Sequence, residues 1–330
     1  MTGIQWTDAT WNPTTGCDKV SPGCGLPMPG AEDQPHSQCY ALTMAARLKG
    51  MGQVKYQTDG DPRTSGPGFG VAMHPDALDA PLRWRDPRMV FVNSMSDLFH
   101  PKITDAFIAD VWAVMARTPQ HTYQILTKRA PRMASLIPDD PRDGGHRLQA
   151  AATTDVGAQA LYDCEWPLPN VHLGVSVEDQ QRADERVWRL RATAAAVRFL
   201  SCEPLLGPVN LNSLLDGGTR LDGDPRHSSA LTEPCPACGG WGTDCGIDGY
   251  HFTRRRDGLD WVIVGGESGR GARRMQLAWA RDIVDQCRDA DVPVFVKQLG
   301  SAWGRSHHDP STWPAALQVR MFPAVPEPAP

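Results

Sequence analysis

The chain has 330 residues, 41% hydrophobic and 22% charged, a balance that supplies core for one large domain or two ordinary ones and excludes a disordered chain. A formal net charge of −5 excludes attraction to nucleic acid through overall charge, so any such contact must come from local basic patches. No run of eighteen apolar residues occurs, and the opening Met-Thr-Gly-Ile-Gln-Trp lacks the charged-then-apolar pattern of a secretory leader, so a cytoplasmic protein with no membrane partner is expected.

In chain order, apolar runs read as strands near Ile4–Trp6, Phe69–His74, Met89–Ser94, Thr122–Thr127, Asn170–Val177, Val197–Cys202, Asp260–Gly265 and Pro293–Gln298. Runs such as "MVFVNS", "VHLGVSV" and "WVIVGG" have the character of parallel strands buried on both faces. Helical patterns lie between them. In "TDAFIADVWAVMART" Phe107, Ile108, Val111, Trp112 and Met115 share a face and Thr104 is placed to cap the start, and in "QLAWARDIVDQCRDA" Leu277, Ala280, Ile283, Val284 and Cys287 share another. Repeated strand–helix units predict an α/β fold of the (β/α)8 barrel type, complete or partly open, with a doubly wound open sheet as the alternative. One barrel domain is expected over residues 1–322, with insertions at about 25–38 and 207–258, the latter Cys-rich, followed by a disordered Pro-rich tail at 323–330.

Barrel enzymes place their working groups at the C-terminal ends of strands. Here those ends carry His74, Asn93, Ser94, Ser96, Asp97, Lys128, Arg129, Ser176, Glu178, Ser201, Glu203, Glu267, Lys297 and Gln298. Helix capping or turn closure explains any one of them equally well. A ring that includes three glutamates, each one or two residues beyond an apolar run, points to a polar active-site mouth. Glu178, Glu203 and Glu267 are its candidate acids or bases, although neither a nucleophile elbow nor a His-Glu-x-x-His helix is present to suggest a plain hydrolase.

Nine cysteines, an odd number that includes a Cys-Pro-x-Cys, point in a reducing compartment to metal ligation more than to disulfides. Cys17 and Cys24 lie in the loop after the first expected strand and Cys39 opens the first long helix, which brings all three to the same mouth. Three thiolates there can hold three irons of a [4Fe–4S] cluster and leave the fourth open. The alternative is a structural zinc or free buried thiols.

The arrangement resembles the radical S-adenosylmethionine (SAM) enzymes. More closely, "WTDATWNPTTGCDKVSPGC…CYA", "MHPDALDAPLRW", "VFVNSMSDLFHP" and "WVIVGGESGRGAR" resemble an uncharacterised three-cysteine family carried by phages and mobile elements and itself similar to radical SAM proteins, over about Ile4 to Gly300. The resemblance implies an open iron that binds the amino and carboxylate groups of SAM, an external electron donor, and a 5′-deoxyadenosyl radical that removes a substrate hydrogen. It assigns the cluster to Cys17, Cys24 and Cys39, and SAM to the mouth groups His74, Asn93, Ser94, Ser96, Asp97 and Ser176.

Two departures stand out. The spacing Cys17-x6-Cys24-x14-Cys39 differs from the usual Cys-x3-Cys-x2-Cys, and widening the second gap from two to fourteen residues costs about 1.7 kcal/mol of closure entropy. His36, inside the widened gap, is a rival ligand. Gly265-Gly266-Glu267 matches a glycine-rich SAM-binding segment in letters but falls on a late strand, so that role is not carried over.

Two further groups complete the reading. Cys235-x2-Cys238 with Cys245 and His251 suits a structural zinc knuckle, with an auxiliary iron–sulfur cluster or no metal as alternatives. The segment "GGESGRGARR" offers backbone amides with Arg270, Arg273 and Arg274, which together with Lys128 and Arg129 suit phosphate oxygens, and Arg254, Arg255 and Arg256 extend the basic surface. SAM has no phosphate, so the expected substrate is a nucleotide or nucleic acid. The bland alternative pairs these cations with nearby acids on a solvated face. Two classes of function stand: an iron–sulfur enzyme using SAM, or a non-catalytic zinc-stapled barrel that binds nucleic acid or a protein partner.

Overall fold

The computed structural model describes residues 5–27, 39–140, 143, 145–212 and 258–324. In chain order its strands are β1 (Ala9–Trp11), β2 (Thr14–Thr15), β3 (Ala72–Met73), β4 (Met89–Val92), β5 (Thr122–Thr127), β6 (Val171–Ser176), β7 (Val197–Cys202), β8 (Trp261–Gly265) and β9 (Val294–Gln298). The helices are α1 (Tyr40–Gly50), α2 (Asp105–Ala116), α3 (Ala130–Leu136), α4 (His146–Ala151), α5 (Asp155–Asp163), α6 (Gln180–Arg191) and α7 (Leu277–Asp289). The fold is mixed α/β. Seven strands form one parallel sheet in the order β1-β4-β5-β6-β7-β8-β9, and β2 and β3 pair antiparallel outside it.

Sheet order follows chain order without reversal, which removes the doubly wound alternative, since that fold needs a switch point. The sheet is nevertheless strongly curled. Trp6 packs against Phe91 of β4, with ring centroids 4.9 Å apart, and against Trp261 of β8 at 6.2 Å. Four strand spacings separate β4 from β8, about 19 Å in a flat sheet, too far for one indole to touch both. Curling brings Phe91, Phe199, Trp261, Ile263 and Phe295 to an inner core around Trp6. The alternate residues Val90, Val92, Tyr123, Ile125, Leu173, Val175, Val262 and Val264 face outward into the larger core that the helices cover. No pairing joins β9 to β1 among the described residues, so the architecture is a half-barrel.

Two of the expected strands are corrected. Ile4 lies outside the described residues and Trp6 sits in a turn before β1, its indole packed inside the curl of the sheet against Phe91, Phe199 and Trp261. A short apolar run cannot distinguish a strand from such a plug. Of Phe69–His74 only Ala72–Met73 is strand, paired with Thr14–Thr15. Gly70 instead lets the chain press against Gly16, where φ is +82° and a Cβ would lie 2.2 Å from the Gly70 carbonyl oxygen. The other six strands and both helical faces stand where the pattern placed them. Thr104 accepts a hydrogen bond from the Phe107 amide at 3.2 Å.

The C-terminal segment guards the free edge of β9: the Val296 amide donates to Val319 O at 2.9 Å and the Met321 amide to Val294 O at 3.0 Å. Phe322 then packs on Trp261 and Phe295. Residues 325–330 of the expected tail and 213–257 of the second insertion lie outside the described residues. No described helix is long and apolar enough to cross a membrane.

Because Trp6 closes the inner core, Trp6→Ala is expected to destabilise the protein by about 3–5 kcal/mol, read as a lowered urea midpoint. An unchanged midpoint would show that the half-barrel does not depend on its plug.

Candidate functional site

The strands point their C-terminal ends into a cavity of about 280 Å³. Cys17, Cys24 and Cys39 all line it. Since β1 is Ala9–Trp11, Cys17 and Cys24 still follow the first strand of the sheet, and Cys39 sits immediately before α1.

Cys24 is carried by the short turn Ser21–Gly25, and that turn is held from two sides. From the end of β6, the fully buried Glu178 carboxylate accepts a hydrogen bond from Ser21 Oγ at 2.5 Å. The same carboxylate pairs with Lys128 at 2.5 Å and Arg186 at 2.9 Å. Gly23 rests directly on it, so closely that a Cβ there would lie 2.4 Å from Glu178 Oε1. From the loop after β8, Arg273 pairs with Glu267 and donates to Pro22 O at 2.9 Å and Leu26 O at 3.4 Å.

A second set of contacts fixes Cys17. Arg129, at the end of β5, donates to Cys17 Sγ at 3.2 Å, to Asp97 at 3.0 Å and to Asp18 O at 3.1 Å. Asp97 also accepts from Thr127 Oγ1 at 2.7 Å and from the Phe99 and Lys128 amides. Asp18 in turn accepts from Thr64 at 2.6 Å and lies 3.0 Å from His100 Nε2. Because His100 Nδ1 accepts from the Lys102 amide, Nε2 is the donor to Asp18.

These contacts reassign several predicted residues. Glu178 lies behind the cysteine turn rather than on the cavity lining; burial alone would raise its carboxyl, but Lys128 and Arg186 outweigh it and hold it down at about 2, which suits an ionised anchor for the turn. Glu267 lines the cavity but is engaged by Arg273. Glu203 also lines the cavity, bonded to Lys297 at 2.7 Å and Gln298 at 3.1 Å.

The expected phosphate cations do not gather into one anion site. Lys128, Arg129 and Arg273 each pair with a carboxylate, as does Lys297, while Arg270 and Arg274 are exposed outside the cavity lining. Arg274 lies over the Trp303 ring at 3.9 Å.

Of the groups assigned to SAM, Asn93, Ser94, Ser96, Asp97 and Ser176 line the cavity. His74 does not. It faces Thr15 Oγ1 at 2.8 Å, because the run that carries it left the main sheet for the β2–β3 ribbon. Asn93 takes a left-handed φ of 62°, tolerated by its short polar side chain, and its Nδ2 is buried without a hydrogen-bond partner among the described residues. The sequence reading gave no role to Trp6, Phe91 or Leu126, which form an apolar part of the wall, nor to Tyr40, whose hydroxyl donates to Ser94 O. It reached Lys297 and Ser201 only as strand ends. Cys235, Cys238, Cys245, His251 and the arginines 254–256 lie outside the described residues, as does His36.

The thiols are free. Burial, then the Asp97 carboxylate, push Cys17 up to about 12 against the pull of Arg129, and Cys24 opposes its ionisation further. Burial also raises Cys39, with the Ala41 amide at the start of α1 pulling the other way and Cys24 again adding to the rise. Cys24 thus stands within electrostatic reach of both other sulfurs. Among the described residues no three His, Cys, Asp or Glu side chains gather tightly enough for a single metal ion. A cubane asks for something different, one thiolate on each of three irons spread around a cluster. Three cysteines that line one cavity, with Arg129 donating to one of them, supply the type and number of donor atoms such a group uses.

Fold and site together define an α/β half-barrel with a cysteine-lined cavity at the C-terminal ends of its strands. The chain belongs to the family described as Protein of unknown function (DUF5131), whose model matches residues 1–326. No curated protein and no solved structure matches it.

Glu178→Gln leaves Lys128 and Arg186 buried without their counter-charge and is expected to cost about 3–5 kcal/mol near neutral pH. Because folding lowers the Glu178 pKa from an ordinary 4.5 to about 2, its stabilisation is complete above pH 4.5 and is lost as the pH falls towards 2. Urea unfolding from pH 7 to pH 2 should therefore show the gap between the two proteins narrowing below pH 4.5. A gap independent of pH would contradict the anchor.

Proposed function

We propose that the protein is a radical-SAM-like iron–sulfur enzyme that modifies a phosphate-bearing substrate, a nucleotide or nucleic acid. The observation that carries the reading is the meeting of Cys17, Cys24 and Cys39 on the wall of one cavity despite the gap of fourteen residues between the last two. A [4Fe–4S] cluster bound there, reduced by an external donor, would supply the electron for reductive cleavage of SAM.

The chain's own share is binding, orientation and exclusion of water. Glu178 and Arg273 hold the turn that presents Cys24, and Arg129 holds Cys17. Asn93, Ser94, Ser96 and Ser176 supply polar groups to the same cavity, as does Asp97, which is held by Arg129. Trp6, Phe91 and Leu126 supply the dry part of the wall. Glu203 with Lys297 is the candidate for proton handling. Recognition of substrate phosphate falls to Arg270 and Arg274 on the exposed loop after β8, since the cations nearer the sulfurs are paired.

The competing reading is a non-catalytic barrel stapled by zinc that binds nucleic acid or a protein partner, and one experiment separates the two. Anaerobically reconstituted, reduced protein given SAM should release 5′-deoxyadenosine, and the triple variant Cys17→Ala/Cys24→Ala/Cys39→Ala should release none above background. Zinc held by the three N-terminal thiols with no SAM cleavage would overturn the enzymatic reading in favour of the staple.

A further inference from the structure

Four carboxylate–cation pairs surround the cavity, each with at least one member on its lining, and one of their cations also touches a sulfur. Arg129 donates to Cys17 Sγ at 3.2 Å through the same nitrogen that reaches Asp97 at 3.0 Å, while its other terminal nitrogen donates to Asp18 O at 3.1 Å. The Arg129 side chain is only 11% exposed and that of Asp97 7%, so solvent screens neither charge well. Asp97 is itself fixed by Thr127 Oγ1 and two backbone amides. The guanidinium is therefore pre-positioned against the sulfur by contacts that exist without any metal.

We propose that Arg129 is a positioning residue that sets the reduction potential of the cluster held by Cys17, Cys24 and Cys39, rather than a contact for substrate phosphate. The inference rests on the iron–sulfur reading above. One-electron reduction takes a [4Fe–4S] cluster from the 2+ to the 1+ state, with the electron supplied by a low-potential donor, so it adds one negative charge to the cluster and its thiolates. A hydrogen bond to a ligating sulfur and a nearby positive charge both favour that more negative state, and hydrogen bonding to sulfur is one of the principal levers on such potentials. Removal of Arg129 acts twice: the sulfur loses its donor, and Asp97 keeps a carboxylate near Cys17 with no cation to offset it. Both effects make the cluster harder to reduce. Lysine restores the charge but not the planar fork that reaches Cys17, Asp97 and Asp18 O together.

The test is a dithionite titration of anaerobically reconstituted protein, followed by the electron paramagnetic resonance of the reduced cluster, on wild type, Arg129→Met, Arg129→Gln and Arg129→Lys, with iron and sulfide measured per chain. The expected result is a midpoint moved to more negative potential in Arg129→Met, less so in Arg129→Gln, and least in Arg129→Lys, at equal iron content. Equal midpoints in all four at equal iron content would overturn the inference while leaving the cluster reading in place. So would loss of cluster from the variants with an unchanged midpoint in what remains, since Arg129 would then only staple the loop. Wild-type protein that takes up neither iron nor sulfide would overturn the cluster reading, and this inference with it.

Discussion

A buried carboxylate organises the site. Glu178 has no access to solvent, and its two oxygens are shared among Lys128 just after β5, Arg186 from α6 and Ser21 from the cysteine turn. A charge placed there is costly unless fully compensated, and this one is compensated by elements distant in sequence, so the sheet, a covering helix and the loop over the cavity must assemble together. Gly23 is required for the same reason, because a side chain at that position would occupy the space of the carboxylate. The position of the Cys24 sulfur follows from a charge that never reaches the cavity.

The same logic repeats around the mouth. Arg129–Asp97 and Lys297–Glu203 each join groups at the ends of different strands, and Arg273–Glu267 closes the loop after β8 on itself. Together with Lys128–Glu178 they leave the cavity walls rich in charge but balanced pair by pair. Three of the four reach the cysteine-bearing loop directly, Glu178 through Ser21, Arg273 through Pro22 O and Arg129 through Cys17 and Asp18 O. A polar mouth of this kind ties the cysteine loop to the sheet at several points. It leaves little unspent positive charge for a phosphate beside the sulfurs.

Much of this was legible in the sequence, for stated reasons. Strands buried on both faces are continuous apolar runs, and those at Met89, Thr122, Val171, Val197, Trp261 and Val294 stand out against the amphipathic helices between them. The first strand was misplaced because Trp6 is as apolar as any strand residue, and its use as a plug depends on a curl that no local pattern encodes. The ring of polar strand ends was visible, but the division of labour within it was not. Whether a glutamate faces substrate or anchors a loop depends on partners such as Lys128, Arg186 and Ser21, up to 157 residues away in sequence. His74 went astray with its strand. Cys17, Cys24 and Cys39 line one cavity because the first two belong to the loop that follows β1 and the third stands immediately before α1, at the mouth formed by the C-terminal ends of the strands.

The proposed chemistry requires that the sulfurs of Cys17, Cys24 and Cys39 share one cluster. Iron and acid-labile sulfide measured in protein purified without air test that most directly. The account predicts about four of each per chain, lost together when Cys17, Cys24 and Cys39 are replaced. Protein that carries zinc in place of iron, or iron that survives replacement of all three cysteines, would contradict it.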